Sequence, residues 1–282
     1  MRYGYRNSAT IVALAAAALQ SAGFLLATAL ISHEGLNAFL LSRPSVTAHS
    51  WWLVYKDVQP GLNYYIWDTG GVMLFLLICF VAGIFLRKIY QRTASAEVFF
   101  AIFFLCSITF EALRIWNAYL ILKGVSISIC VIVTRFTYFG RIFGLVCLLF
   151  SSLYAIRIHF QGFGVLLLSA LFLSFAFAYV LPIDRALIMS NFLYKLGDER
   201  SLWLLTLILK IAIFLNFLIA AAKRHDFSFV VSAFAALLIL SGREFLLYHG
   251  PVLRLGVGLC IAVTGIWIFG RQMTKIYLWP NE

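Results

Sequence analysis

Eight predominantly apolar stretches, each close to 20 residues long, constrain this chain more than anything else in it. A helix rises 1.5 Å per residue, so about 20 residues cross the roughly 30 Å hydrocarbon core of a bilayer. The stretches cover 9–32, 70–87, 98–122, 136–157, 163–181, 202–222, 228–248 and 251–270. They predict an all-α fold, a polytopic transmembrane helical bundle occupying residues 1–282 as a single transmembrane domain. The fourth stretch is ambiguous at its start. Apolar residues begin near Ser126 but Arg135 interrupts them, so 126–135 reads either as an extra helical turn or as outer loop.

Composition agrees. Hydrophobic residues make up 63% of the 282 positions and charged residues 12%, against roughly 45–50% and 25% in a soluble domain. A water-soluble fold of this size would expose large apolar patches. The N-terminal Arg2 and Arg6 precede an apolar run from about Ser8 to Ile31, longer than the roughly 7–15 residues of a signal-peptide core. It is therefore read as a retained first helix. The formal charge of +11 does not point to nucleic acid, because the basic residues are scattered singly or in pairs at the ends of the spans, which is a topology signal. Membrane lipid is the expected partner, and nucleic acid is not. The five cysteines, Cys79, Cys106, Cys130, Cys147 and Cys260, form no CxxC pair and fall in or beside apolar stretches. They read as small buried residues, with neither a disulfide scaffold nor a metal site expected.

The positive residues give an orientation. With the N-terminus in the cytoplasm, the inner segments hold Arg2, Arg6, Arg87, Lys88, Arg92, Arg157, Lys223, Arg224, Arg271 and Lys275. The outer segments hold only Arg43, Lys56, Lys123, Arg185, Lys195 and Arg200, largely offset by acids, whereas Glu97, Asp226 and Glu282 are the only inner acids. The bias predicts cytoplasmic N and C termini, and a bacterial-type inner membrane is the expected location. The two long outer loops are 33–69 and 182–201. The first carries Trp51, Trp52, Tyr55, Tyr64, Tyr65 and Trp67, amphipathic rings expected to lie along the membrane surface, with short helices as one form.

Features recur in order between residues 1–160 and 161–282. The second and sixth spans end in Arg87–Lys88 and Lys223–Arg224. The third and seventh carry Glu111 and Glu244, and the fourth and eighth contain RIFGLVC (141–147) and RLGVGLC (254–260). This suggests a four-plus-four parallel pseudo-repeat, whose interface would be the default place for a ligand.

Removing the loop residues leaves Arg114, Arg135, Arg141, Lys210, Arg243, Arg254, Glu111 and Glu244 within the spans. Charges at mid-bilayer cost roughly 2.5–3.5 kcal/mol, so such residues pair, snorkel or line a wet cavity. Glu111, Arg141, Glu244 and Arg254 fall roughly 20–25 Å from the inner ends of their helices, and Lys210 roughly 13 Å below its outer end. All fall in one layer of the outer half of the membrane. One reading is structural, with Glu111 bridging to Arg141 and Glu244 to Arg254. The other is functional. Arg114, Arg141, Lys210, Arg243 and Arg254 outnumber Glu111 and Glu244 by three, and an anion or lipid phosphate would complete the balance. Arg141, Lys210 and Arg254 would then contact the ligand, with Arg114 and Arg243 nearby, while Glu111 and Glu244 orient the arginines. Lys210 stands out because its own span supplies no acid and only Asn216 as another strongly polar group.

There is no phosphate-binding loop, HExxH helix or GxSxG elbow, so no catalytic residue, metal or cofactor is expected. Three functions remain. The leading one is binding or transport of an anionic or lipid-phosphate ligand. The second is a non-catalytic subunit or sensor whose output lies in a separate membrane protein partner. The third is an outer-face enzyme acting on a lipid-linked substrate, resting on Asp57 and Asp68 alone.

Overall fold

The computed structural model describes residues 2–33, 49–50, 53–54, 62–157, 162–189, 191–247 and 252–278. Eight helical segments among them are long and apolar enough to cross a membrane, matching the eight stretches in order. The first is α1 (Arg2–His33) and the second α2 (Leu62–Thr93). Between them a short antiparallel pair, β1 (His49–Ser50) and β2 (Leu53–Val54), stands in the segment expected to hold short helices. The side chains of the aromatic cluster 51–67 lie outside the described residues. With 32 residues, α2 extends over roughly 48 Å, so it projects well beyond the apolar stretch 70–87.

The third span is divided into α3 (Ala96–Ile108), a 3₁₀ turn (Thr109–Ala112) and α4 (Leu113–Leu122). Hydroxyls at the end of α3 and the start of the turn compete for the last α3 carbonyls: Ser107 Oγ donates to the Phe104 carbonyl at 2.7 Å and Thr109 Oγ1 to the Cys106 carbonyl at 2.6 Å. Tightened turns of this kind inside a helix often mark strain or a hinge. Here the turn carries Glu111.

The fourth span, α5 (Ile127–Ala155), is continuous, so 126–135 is helical extension and not outer loop. Arg135 sits on it as a tether, its Nη1 donating to the Tyr179 carbonyl at 2.5 Å and its guanidinium stacking on the Tyr179 ring. The remaining spans are α6 (Phe163–Val180), α7 (Glu199–Arg224), α8 (Ser228–Leu247) and α9 (Val252–Leu278). Asp198 caps α7, and the hydroxyl and backbone N–H of Ser201 hold its carboxyl below the usual range. His225, in the left-handed region at φ 51°, ends the same helix.

The segment 182–201 is a hairpin, β3 (Ile183–Ile188) with β4 (Tyr194–Leu196). Its tip is buried: Phe192, in the left-handed region at φ 64°, and Leu193 pack into the bundle. Asn117 on α4 holds it there, donating from Nδ2 to the Phe192 carbonyl at 2.6 Å. Thr134 on α5 accepts from the Tyr194 N–H at 3.4 Å.

Helix neighbours run α2–α3–α5–α7–α8–α9 and back to α2, closing a ring. α1 packs against α2, α3 and α4, and α6 against α5. The third span is the most enclosed and α6 the least. α8 and α9 make the closest approach, with backbones almost touching at Gly242, Ala262 and Gly265, the small-residue packing that lets helices associate where lipid removes any hydrophobic drive. Of the cysteines, Cys79, Cys130 and Cys147 are buried, but Cys260 is exposed, which corrects the reading of all five as buried. Its position on α9 faces away from α8.

Candidate functional site

The layer of charges exists, but as pairs. Glu111, held in the 3₁₀ turn, receives a bidentate fork from Arg141 on α5, with Nε to Oε1 at 2.6 Å and Nη2 to Oε2 at 2.9 Å. The Arg141 guanidinium also lies over the Tyr138 ring, 5.0 Å from its centroid. Glu244 on α8 is bridged by Lys210 on α7. Arg254 lies on α9, its side chain outside the described residues. The acid missing from the span of Lys210 therefore comes from the next helix of the ring.

Arg114 and Arg243 are buried in the bundle, 0% and 4% exposed. The layer is stepped. Asn216 on α7 donates to Ser152 Oγ on α5 at 3.0 Å, fixing the register of these parallel helices. From that bond, Lys210 lies roughly 9 Å and Arg141 roughly 17 Å toward the hairpin end. Among the described residues these charges form two separate bridges at different depths, one from the 3₁₀ turn to α5 and one from α7 to α8.

A third bridge was not legible as one. Glu97 was counted as a loop acid, yet it lies in the first turn of α3 and is 6% exposed. Its Oε2 accepts from Ser95 Oγ at 2.6 Å and its Oε1 from Arg224 Nη2 at 3.3 Å. Arg224 in turn stacks on Phe229, 4.6 Å from its centroid. This cluster joins α3, α7 and α8 at the end of the bundle where most of the basic residues of the turns lie.

At that same basic end, a cavity of about 1330 Å³ opens between α2, α3, α8 and α9. Ala101, Leu105, Leu148 and Ile239 form its buried floor, while Val81, Phe85 and Trp267 form an exposed apolar rim. Polar side chains enter it mainly from α9: Arg271, Gln272, Thr274 and Lys275. The arrangement follows from helical periodicity. Positions 263, 266, 267, 270, 271, 274 and 275 share one stripe of α9, apolar through Gly270 and then basic. From Val263 to Lys275 the stripe is roughly 18 Å long, a little more than one leaflet of hydrocarbon. Arg271 is propped by stacking on Trp267 at 5.6 Å. None of Arg114, Arg141, Lys210 or Arg243 lines this cavity. Sequence reasoning assigned Arg271 and Lys275 to an inner segment beyond the eighth span. Following the stripe past residue 270 would have found them. Asp57 and the side chain of Asp68 lie outside the described residues.

The fold defines a multi-pass membrane protein. Comparison with known proteins finds no matching family model, no matching curated protein and no matching solved structure.

Proposed function

We propose that this protein binds or moves an anionic lipid-phosphate ligand, and that it does so at the cavity between α2 and α9. The observation that carries the reading is a membrane-depth slot whose walls are apolar and whose end at the basic pole presents Arg271 and Lys275. Its volume of about 1330 Å³ exceeds the roughly 300–1,000 Å³ of ordinary small-molecule pockets, which suits acyl chains. The exposed rim gives a lipid sideways access from the bilayer. With the N-terminus in the cytoplasm, the slot belongs to the inner leaflet, whose anionic lipids attract basic groups. It also lies between segments 1–160 and 161–282, where a four-plus-four architecture places a ligand. In this reading Arg271 and Lys275 take the contact role expected of Arg141, Lys210 and Arg254.

Basic groups at an anionic membrane surface contribute about 1 kcal/mol each. Replacing both, in R271Q/K275Q, is expected to weaken binding of anionic phospholipid about 30-fold. Binding is read by native mass spectrometry or lipid-induced thermal stabilisation of the purified protein. A wild-type protein that draws no distinction between anionic and zwitterionic phospholipids would remove the basis of the proposal.

A second reading, a non-catalytic subunit or sensor with a separate membrane partner, is favoured by one observation. Glu111 and Glu244 are each held by a cation of a neighbouring helix, as charges devoted to packing would be. Stoichiometric co-purification of a second protein, together with no lipid preference, would move the balance to it.

A further inference from the structure

The slot ends part-way across the membrane, and beyond it the same helices carry buried polar groups. Leu105 of α3 and Leu148 of α5 line the slot. From Leu148 a single stripe of α5 continues through Arg141 and Tyr138 to Thr134, roughly 21 Å toward the hairpin. The third span, opposite, carries Glu111, Arg114 and Asn117. Glu111 bonds to Arg141, and Asn117 Nδ2 donates to Thr134 Oγ1 at 3.4 Å, so the seam between these spans is polar. Glu111, Arg114, Asn117, Thr134 and Tyr138 are all buried. Residues 191–196 stop the far end of the seam. Phe192, Leu193 and Tyr194 are buried there, Tyr194 against Cys130 and Val131 of α5. The tip is wound tightly: Asn191 Oδ1 accepts the Leu193 N–H at 3.1 Å, and the Met189 carbonyl accepts the Phe192 N–H at 3.0 Å. Phe192 takes φ 64°, a region that a bulky residue rarely adopts, and strain of that kind gathers at clamp and switch segments.

Between slot and seam stands the 3₁₀ turn. A Cβ added to Gly140 would collide with Phe110 and one added to Gly144 with Ser107 Oγ, so the break is pressed into α5, and the fork from Arg141 to Glu111 clamps it there. Broken spans beside a binding site recur in carriers, and a 3₁₀ stretch inside a helix often marks a hinge. A phosphate-bearing headgroup needs a polar route, because a charge in bare hydrocarbon is costly. Resting on the reading of the slot as a lipid-phosphate site, we infer that the protein moves its ligand between leaflets by passive equilibration. The headgroup passes from the slot along the seam between α4 and α5, and residues 191–196 are the plug that withdraws to release it. The slot open at the basic pole with the hairpin seated is one end state of that transfer.

The native Cys130, buried against Tyr194, reports the plug directly. Wild-type and Asn117→Leu proteins are placed in phosphatidylcholine vesicles with or without phosphatidylglycerol. A neutral polyethylene-glycol maleimide is added on the hairpin side, and labelling of Cys130 is read by peptide mass spectrometry. Transfer of phosphatidylglycerol bearing an acyl-chain fluorophore is read in the same vesicles by dithionite quenching. N117L removes the donor to the Phe192 carbonyl and is expected to raise both Cys130 labelling and lipid transfer about 10-fold. In the wild type, labelling should be faster with phosphatidylglycerol than without it, a reading that stands even where N117L does not fold. Equal wild-type labelling in the two vesicle types, or faster labelling of N117L without faster transfer, overturns the plug. Absence of transfer by the wild type, with anionic-lipid binding still weakened by R271Q/K275Q, overturns movement and leaves the reading of the slot standing. Absence of both transfer and anionic-lipid preference overturns both.

Discussion

Gly242→Ala is expected to destabilise the folded protein by about 3 kcal/mol, the upper end of the cost of adding a methyl group to a packed interior. A Cβ built on Gly242 would stand 2.5 Å from the backbone nitrogen of Ala262, 2.7 Å from the Gly258 carbonyl oxygen and 2.8 Å from the Ala262 Cα. None of these is the end of a flexible side chain. Relief requires α8 and α9 to separate along their length, and Gly265, whose own Cβ would meet the Ile239 nitrogen at 2.8 Å, shows that the backbones remain close about one turn further on. Separation would also displace Glu244 from Lys210 and widen the wall of the cavity, since Ile239 and Val263 belong to the same two helices. In a protein of this size the loss corresponds to a fall in melting temperature on the order of 5–10 °C, read by thermal unfolding in detergent. Gly256 on the same helix has nothing within 4 Å of its added Cβ. Gly256→Ala should therefore leave stability unchanged or raise it by up to about 1 kcal/mol through helix propensity. Equal melting temperatures for the two variants would show that α8 and α9 are not in backbone contact.

The contrast between those two glycines marks what could be read without the structure. The eight spans were legible because lipid offers no hydrogen bonds, so each crossing must be written as one long apolar run. The pairing of Glu111 with Arg141 was legible too. The chain turns back within a few residues after α4, which makes the two spans neighbours, and counting from their ends brings the charges to similar depth. The same reasoning pairs Glu244 with Arg254, whose side chain lies outside the described residues; it does not offer Lys210, which the ring brings to the Glu244 carboxylate by placing α7 against α8. Depth can be counted along a chain. Rotation about the helix axis and choice between two neighbours cannot.

Glu97 was misplaced for a different reason. Hydropathy shows where the apolar run begins, but the N-cap at Ser95 starts α3 before it, and Arg224 folds the carboxylate inward. The cavity was half-legible. The apolar-to-basic stripe of α9 is written in its sequence. That α2 faces it across a gap, with Phe85 over Gly270, depends on how the ring closes between helices far apart in the chain.

Glu111→Ala should cost about 3–5 kcal/mol, because it leaves the Arg141 guanidinium in the bundle without its carboxylate. The side chains of this pair are 4% and 13% exposed, so little surrounding water is available to replace the lost fork. Stacking on Tyr138 keeps Arg141 from swinging out freely. The partner change Arg141→Met leaves a buried carboxylate instead and should be comparably damaging. Removing both charges together, in E111L/R141M, exchanges a desolvated ion pair for apolar packing, and such exchanges in protein interiors are often neutral or stabilising. Most of the single-variant loss should therefore disappear, a large favourable coupling in the double-mutant cycle. The comparison also separates the two uses of the charged layer. A double variant that regains stability and still binds anionic lipid assigns Glu111 and Arg141 to packing, in keeping with a ligand site at Arg271 and Lys275. A double variant that regains stability but loses lipid binding returns Arg141 to the ligand. Single variants that unfold no more easily than wild type would mean that the fork at 2.6 and 2.9 Å contributes nothing to holding the third span against the fourth.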